Sequence, residues 1–149
     1  MKLKLAVSDE RYDELKDFFT TLGVEIDDDA ELVLTEQTCY AGHIPVRREN
    51  GDRVRIAVGE IVLAESFGHE IVIRCNGGAY RSADSLSQLE KSLDPALFLR
   101  VSSSAIVARK KIKFIKPALS SKFILTMTNG SLVTVTRSYY NIFREQFGI

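Results

Sequence analysis

The sequence lacks several features by which large classes of protein are recognised. It has no tryptophan, two cysteines and three prolines among its 149 residues. Cys39 and Cys75 stand far apart, without CxxC or CxxxH spacing, which argues against a disulfide framework and against a structural zinc site. We therefore expect two reduced, packed thiols, and neither a metal nor a cofactor.

Long apolar runs are missing as well. No stretch approaches the roughly 20 residues that a membrane-spanning helix requires. The opening residues MKLKLAVSDERYDE contain neither the apolar segment nor the cleavage site of a signal peptide. We expect a cytoplasmic protein of ordinary globular composition, folded as one compact unit or as one domain with a small extension.

Acidic residues are almost absent from the last third of the chain. From Phe98 to the end there are nine basic residues and a single acid, Glu145. Up to Pro45 there are four basic and eleven acidic residues, so the zero net charge of the chain is a cancellation of unlike halves. This asymmetry favours a polyanionic partner for the C-terminal half, and a solvated basic face balanced by the acidic start is the alternative.

The acidic start has the pattern of a strand, a helix and a second strand. Apolar residues alternate over 3–7 and then recur at helical spacing over 12–22, with Ser8 positioned as the N-cap. A short apolar run follows over 31–35. We predict an acidic βαβ-like N-terminal extension over residues 1–45.

The remainder, residues 46–149, has short alternating runs that are typical of half-buried strands. Asn50-Gly51, Asn76-Gly77 and Asn129-Gly130 each suit a two-residue type I′ hairpin turn. Such a turn at Asn129-Gly130 places Met127 opposite Leu132. The same register predicts one buried apolar face made of Phe123, Leu125, Met127 and Leu132.

Two helices are predicted within this β-rich part. Ser85 and Gln88 form a capping box before an apolar stripe that stops at Asp94-Pro95. A closing helix begins after Arg137, where apolar residues recur at helical spacing as far as Phe147. The fold class predicted from the pattern is mainly β, of the α+β type.

From about Val46 to the end, the sequence resembles the LytTR family of bacterial DNA-binding domains. The resemblance lies in segments that occur in the order of the family: RIAVGEIVLAES, GHEIVIRCNGGAYRSADSLSQLEKSLDPALFLRV, SSSAIVARKKIKFI and MTNGSLVTVTRSYY. It implies several small antiparallel sheets with one or two helices. It also implies that loops, and not a recognition helix, enter successive major grooves of double-stranded DNA.

The resemblance also implies which side chains contact DNA. His69 and Arg137 match the residue types of the family, whereas Ser102-Ser103-Ser104 stands where the family usually has His, then Arg or Asn, then Ser. Serine lacks the reach and the planar guanidinium of arginine, so we expect this loop to contribute less to the recognition of specific bases. The basic stretch around Lys110 is expected to bind backbone phosphates. The complete predicted set is His69, Ser102, Ser103, Ser104, Lys110, Lys111, Lys122, Arg137 and Tyr140.

Catalysis is not expected from this sequence. The serines of the tripeptide and His69 are not accompanied by a GxSxG elbow, and the run Asp27-Asp28-Asp29 lacks the spaced oxygen ligands of a calcium loop. We expect no small-molecule substrate, and double-stranded DNA as the partner of a sequence-specific transcription regulator. The alternative is a protein-interaction module of the same fold that antagonises or dimerises with another regulator. A homodimer and a regulatory protein partner are left open.

Overall fold

The structure, a computed structural model, describes residues 1–36, 40 and 42–149. Cys39 lies outside the described residues. The chain divides into two compact units, Met1–Ala41 and Gly42–Ile149. Among the described residues, no helix combines the length and the apolar character needed to cross a membrane.

The first unit is a small parallel sheet with one helix. Its elements are β1 (Lys2–Ala6), α1 (Asp9–Thr21), β2 (Glu25–Ile26) and β3 (Val33–Thr35). β1 lies between β2 and β3 and is parallel to both. The predicted strand, helix and second strand are present, and β2 is an additional strand that the sequence pattern did not indicate.

Ser8 occupies the predicted N-cap position but does not cap the helix with its side chain. Instead its hydroxyl and its backbone N–H both donate to the Glu36 carboxylate, each at 3.1 Å. A turn begins at Asp27, where the Asp29 N–H donates to the Asp27 carboxylate at 2.9 Å. This hydrogen bond, with a smaller contribution from Lys2 at 3.5 Å, lowers the pKa of Asp27 below its usual range.

The second unit contains ten strands and two helices, in agreement with the predicted mainly β fold. Its strands form one seven-stranded antiparallel sheet, of order β5-β4-β8-β7-β6-β10-β9, and one three-stranded antiparallel sheet, of order β11-β12-β13. The elements are β4 (His43–Arg47), β5 (Arg53–Ala57), β6 (Ile61–Phe67), β7 (Glu70–Cys75), β8 (Gly78–Ser82), α2 (Leu86–Ser92), β9 (Phe98–Ser102), β10 (Ala105–Ala108), β11 (Ile112–Ala118), β12 (Lys122–Met127), β13 (Leu132–Val135) and α3 (Arg137–Phe147).

The main core lies where α3 and the smaller sheet pack on strands β6, β9 and β10 of the larger sheet. Phe143 of α3 is buried between Phe123 and Phe147, with ring centroids 5.3 and 4.5 Å away. The core cluster consists of Val62, Leu63, Val101, Ala105, Val107, Phe123, Leu125, Met127, Val133, Val135 and Phe143. This packing fixes both ends of α3 relative to the two sheets.

The capping box predicted at the start of α2 is confirmed. The Gln88 N–H donates to the Ser85 hydroxyl at 3.2 Å, and the Ser85 N–H donates to the Gln88 side-chain oxygen at 2.7 Å. Both hydrogen bonds satisfy backbone donors that a helix start otherwise leaves without partners.

The predicted register of the β12–β13 hairpin is wrong by one residue. Its loop has three residues, 128–130, because the Met127 N–H donates to the Ser131 carbonyl at 2.9 Å. Thr126 therefore pairs with Leu132, and Leu125 pairs with Val133. Since a shift of one residue turns every side chain to the other face, Leu132 is 69% exposed, and Val133 and Val135 are buried in its place.

The type I′ assignment is also wrong at the Asn-Gly turns. Gly51 and Gly130 have φ angles of 90° and 85°, but the asparagines that precede them do not have positive φ. The Asn50-Gly51 loop is again one residue longer than predicted, since the Arg48 N–H donates to the Asp52 carbonyl. Of the three Asn-Gly pairs, Asn76-Gly77 alone forms a two-residue turn, between paired Cys75 and Gly78, and it does so without positive φ.

The predicted domain boundary after Pro45 falls inside β4, where Pro45 pairs with Arg55. The neighbouring residues Ile44 and Val46 are both buried in the sheet. We expect a fragment of residues 42–149 to fold alone and to be more stable than a fragment of residues 46–149. The expected difference in the free energy of unfolding is about 2 kcal/mol, the value of burying one isoleucine side chain. Urea denaturation of the two fragments measures it, and equal midpoints would contradict it.

Candidate nucleic-acid interface

Four connections of the second unit meet at one end of its two sheets. The Ser66 N–H donates to the Ser104 carbonyl at 2.9 Å, which joins the β6–β7 hairpin to the β9–β10 turn. The Thr136 N–H donates to the Val101 carbonyl at 3.0 Å, which joins the start of α3 to the same turn. The β11–β12 loop lies at this end because Phe123 pairs with Val135. We call this surface the loop edge, and it consists of residues 68–69, 103–104, 119–122 and 136–137.

His69 lies at the tip of the β6–β7 hairpin. Phe67 pairs with Glu70, so Gly68 and His69 are the two residues of the turn. Gly68 has φ of 62°, and glycine is required at the first position of a type II′ turn, where other residues are strained. The His69 side chain is consequently exposed at a position that the strands fix.

The serine tripeptide forms a braced turn between β9 and β10. Ser102 is only 4% exposed, and its hydroxyl accepts from the Ser104 N–H at 3.1 Å. Arg100 donates to the Ser102 carbonyl at 3.1 Å and to the Ser103 carbonyl at 2.7 Å. Ser103 and Ser104 are exposed, whereas Ser102 acts inside the turn.

Arg100 is a positioning residue that the sequence analysis counted only among the basic residues. Its guanidinium lies 3.6 Å from the Glu90 carboxylate of α2, which holds the arginine against the turn. The signal in the sequence was its spacing, because a residue two before Ser102 lies on the same face of β9. That spacing does not by itself distinguish an arginine that holds the turn by hydrogen bonds from one that only carries charge at the surface.

Arg137 is the first residue of α3 and is exposed. Thr136 is the N-cap, and its hydroxyl makes no capping hydrogen bond. The first N–H groups of a helix lack intrahelical partners and favour an anion, so the start of α3 can receive a phosphate. Lys122, also exposed, begins β12 at the residue before Phe123, which places its backbone beside Thr136.

Tyr140 contributes to packing. Its ring stacks on Phe123, with centroids 4.8 Å apart and an interplanar angle of 14°. The Arg144 guanidinium lies over the same ring, 5.7 Å from its centroid. Tyr140 therefore supports α3 one turn behind Arg137, from a half-buried position.

The β11–β12 loop is a strained part of the loop edge that the sequence analysis missed. Ser120 and Ser121 have φ of 65° and 56°, a left-handed conformation that costs a residue other than glycine about 1–2 kcal/mol. Leu119 beside them is 92% exposed. Strain of this kind persists where surrounding structure enforces it, and it is frequent at binding sites. Serine is common in turns but does not specify positive φ as glycine or asparagine does, so the local sequence did not indicate this conformation.

Lys110 and Lys111 lie at the other end of the second unit. The Thr128 N–H donates to the Lys111 carbonyl at 2.8 Å, and Thr128 is six residues from Lys122 along β12, or about 20 Å in an extended strand. Nearby is Cys75, whose thiol pKa is raised by burial and by the charge of Glu60, and is partly lowered by Lys111. These two lysines are therefore not part of the loop edge.

Comparison with known proteins agrees with this architecture. Residues 51–148 match the family model of the LytTr DNA-binding domain. The sensory transduction protein LytT of Enterococcus faecalis is 32% identical over 107 residues, which are 71% of this chain and 43% of that protein. The Bacillus subtilis protein of the same name is 30% identical over 110 residues, 73% of this chain and 46% of that protein.

The chain thus spans less than half the length of these curated relatives. A solved LytTr DNA-binding domain from Bacillus cereus is 26% identical, with a TM-score of 0.69 over 73% of this chain and 99% of that one. The family model alone covers about two thirds of the residues, and the solved domain has the same fold. The chain belongs to the LytTR family of DNA-binding domains.

Proposed function

We propose that the second unit binds double-stranded DNA as the DNA-binding part of a transcription regulator, with its loop edge facing the major groove. The observation that carries this proposal is the convergence of His69, Ser103, Lys122 and Arg137 at one exposed end of the two sheets. A surface built from several short loops fits a groove without a recognition helix. Membership of a DNA-binding family supports the same partner.

Each residue has a distinct role in this proposal. Arg137 donates to a base edge, because arginine paired with guanine is the commonest specific contact. Ser103 and Ser104, together with His69, donate to phosphates or base edges. Lys122 and the first N–H groups of α3 bind backbone phosphates. Ser102 and Tyr140 hold these groups in place from inside the fold.

We expect Lys122→Ala to reduce the salt dependence of DNA binding, and Lys110→Ala to leave it unchanged. A phosphate contact releases about one counterion, so its loss lowers the slope of log affinity against log salt by about 0.9. Fluorescence anisotropy of a labelled duplex over a range of salt concentrations measures both slopes. The two variants lose the same charge, and only their places in the fold differ.

An unchanged slope for Lys122→Ala would exclude Lys122 as a backbone contact, and a reduced slope for Lys110→Ala would place a backbone contact outside the loop edge. If the wild-type chain binds no duplex at any salt concentration, the proposed function itself is refuted. Self-association without DNA binding would then favour the protein-interaction module. The homodimer is a prediction from the sequence, which sedimentation analysis of the same sample would test, and the regulatory protein partner stays a prediction.

A further inference from the structure

We infer that three arginines, Arg53, Arg47 and Arg81, form a second phosphate-binding site that holds the DNA backbone beyond the loop edge. We call them the arginine row. This inference rests on the proposed function. The additional contact with DNA lies on the neighbouring strands β5, β4 and β8, at one side of the larger sheet. The ligand is the phosphodiester backbone that flanks the sequence read by the loops.

The arginine row is set by the strand register. Arg47 of β4 pairs with Arg53 of β5 on one side and with Arg81 of β8 on the other. Residues directly opposite each other share a face of the sheet. The alternate residues of β4, Ile44 and Val46, are buried, so the row lies on the solvent face, where all three arginines are exposed. Two strand spacings make the row about 10 Å long.

Acidic neighbours neutralise only part of this charge. Arg81 is 2.6 Å from the Glu70 carboxylate, but in the described part of the chain no carboxylate lies within salt-bridge distance of Arg47 or Arg53. Asp52, close in sequence, is held by Asn50, whose side-chain amide donates to its carboxylate at 3.0 Å. Like charges directly opposite each other destabilise a sheet. Repulsion between the arginines therefore lowers the stability of the free protein, and a bound anion would offset that loss.

A cleft lies over the row and can admit a phosphate group. Its volume is ≈ 270 Å³, and it is lined by the three arginines together with Pro45, Val46, Ala83 and Asp84. Asp84 contributes the only carboxylate of the lining, and Glu70 neutralises Arg81 from outside it, so the three guanidinium groups retain one net positive charge. The surplus of positive charge favours phosphate, which arginine binds with paired hydrogen bonds.

The row lies at the same end of the larger sheet as the loop edge. A second cleft, of ≈ 580 Å³, contains both Arg47 and Arg81 together with His69. In the sheet order, β4 is four strands from β10, a distance of about 19 Å, or roughly six base pairs of duplex. A duplex that lies along the loop edge therefore passes over the row. Arg47 also precedes the residues that match the family model, 51–148.

The test compares two duplexes with the full chain. The first is a site of about 12 base pairs selected from a random pool with the wild-type protein, and the second adds about 10 base pairs of arbitrary sequence on each side. We expect Arg47→Gln combined with Arg53→Gln to weaken binding to the long duplex about tenfold and to lower its salt slope by about two. Binding to the short duplex should change less than twofold.

Lys16→Gln combined with Lys91→Gln is the matched control, because both lysines are exposed and the loss of charge is the same. The arginine variant should also unfold at a higher urea concentration, since it removes the repulsion within the row. An unchanged affinity for the long duplex, or an equal loss on both duplexes, would overturn the inference. If the arginine variant loses self-association but keeps its affinity for both duplexes, the inference is overturned as well. If the wild-type chain binds neither duplex, the proposed function fails and this inference fails with it.

Discussion

Phe143→Ala is expected to lower the free energy of unfolding of the second unit by about 3–5 kcal/mol, because it removes a large ring from the centre of the core. Phe143 is 1% exposed and contacts the rings of Phe123 and Phe147. The loss combines the transfer free energy of the ring with the cavity that it leaves. Urea denaturation of the full chain, followed by circular dichroism, measures this difference.

Ile142→Ala provides the control on the same helix. Ile142 precedes Phe143 but is 50% exposed, so its truncation should cost less than about 1 kcal/mol. Similar losses for the two variants would mean that α3 is not packed on β12 and β9 in the way described. Because α3 begins at Arg137, we also expect the phenylalanine variant to lose DNA affinity at temperatures where it is still mostly folded.

Local features were predicted unevenly, since the capping box of α2 is present but the Ser8 side chain does not cap α1 and the type I′ turns are absent. The capping box at Ser85 and Gln88 was predicted correctly, since both of its hydrogen bonds lie within one helical turn. The period-two alternation likewise identified β12 and β13, whereas β6 and β10 have continuous buried runs without such alternation. Neither kind of signal requires knowledge of which strands become neighbours.

Strand pairing was harder to predict. At Asn129-Gly130 one additional loop residue changed the register and exchanged Leu132 for Val133 in the core. Hairpin loops of two and of three residues are both common, and the three-residue loop is the one that buries Val133 and Val135. Local sequence contains no information about that packing.

The same limit applies to the candidate site. Arg137 and His69 were predicted from the family resemblance, and both lie at the loop edge, whereas Lys110 was grouped with them only because the sequence is basic there. Arg100 and the arginine row were missed, because their roles depend on partners from other strands. Arg47 and Arg81 are 34 positions apart in the chain and directly opposite in the sheet.

The second large effect is expected from Arg137, which we propose reads a base from the first position of α3. The Thr136 N–H is bonded to β9, and Phe143 anchors the helix, so the direction of the arginine is set by packed elements. A guanidinium held in this way donates two parallel hydrogen bonds to the O6 and N7 atoms of guanine, which an ammonium group cannot reproduce. Arg137→Lys should therefore lose about 1–3 kcal/mol of discrimination at one base position, with little change in non-specific affinity.

A contact with phosphate alone predicts the opposite pattern. Lysine would then bind nearly as well as arginine, and Arg137→Ala would weaken binding to every sequence alike. Measuring both variants on a selected site and on a scrambled duplex, at one fixed salt concentration, separates the two roles. Ser138→Ala, at the next exposed position of the helix, controls for changes at its start. Equal losses on the two duplexes for Arg137→Lys would exclude base reading and leave Arg137 as a backbone contact, since only a base contact distinguishes one sequence from another.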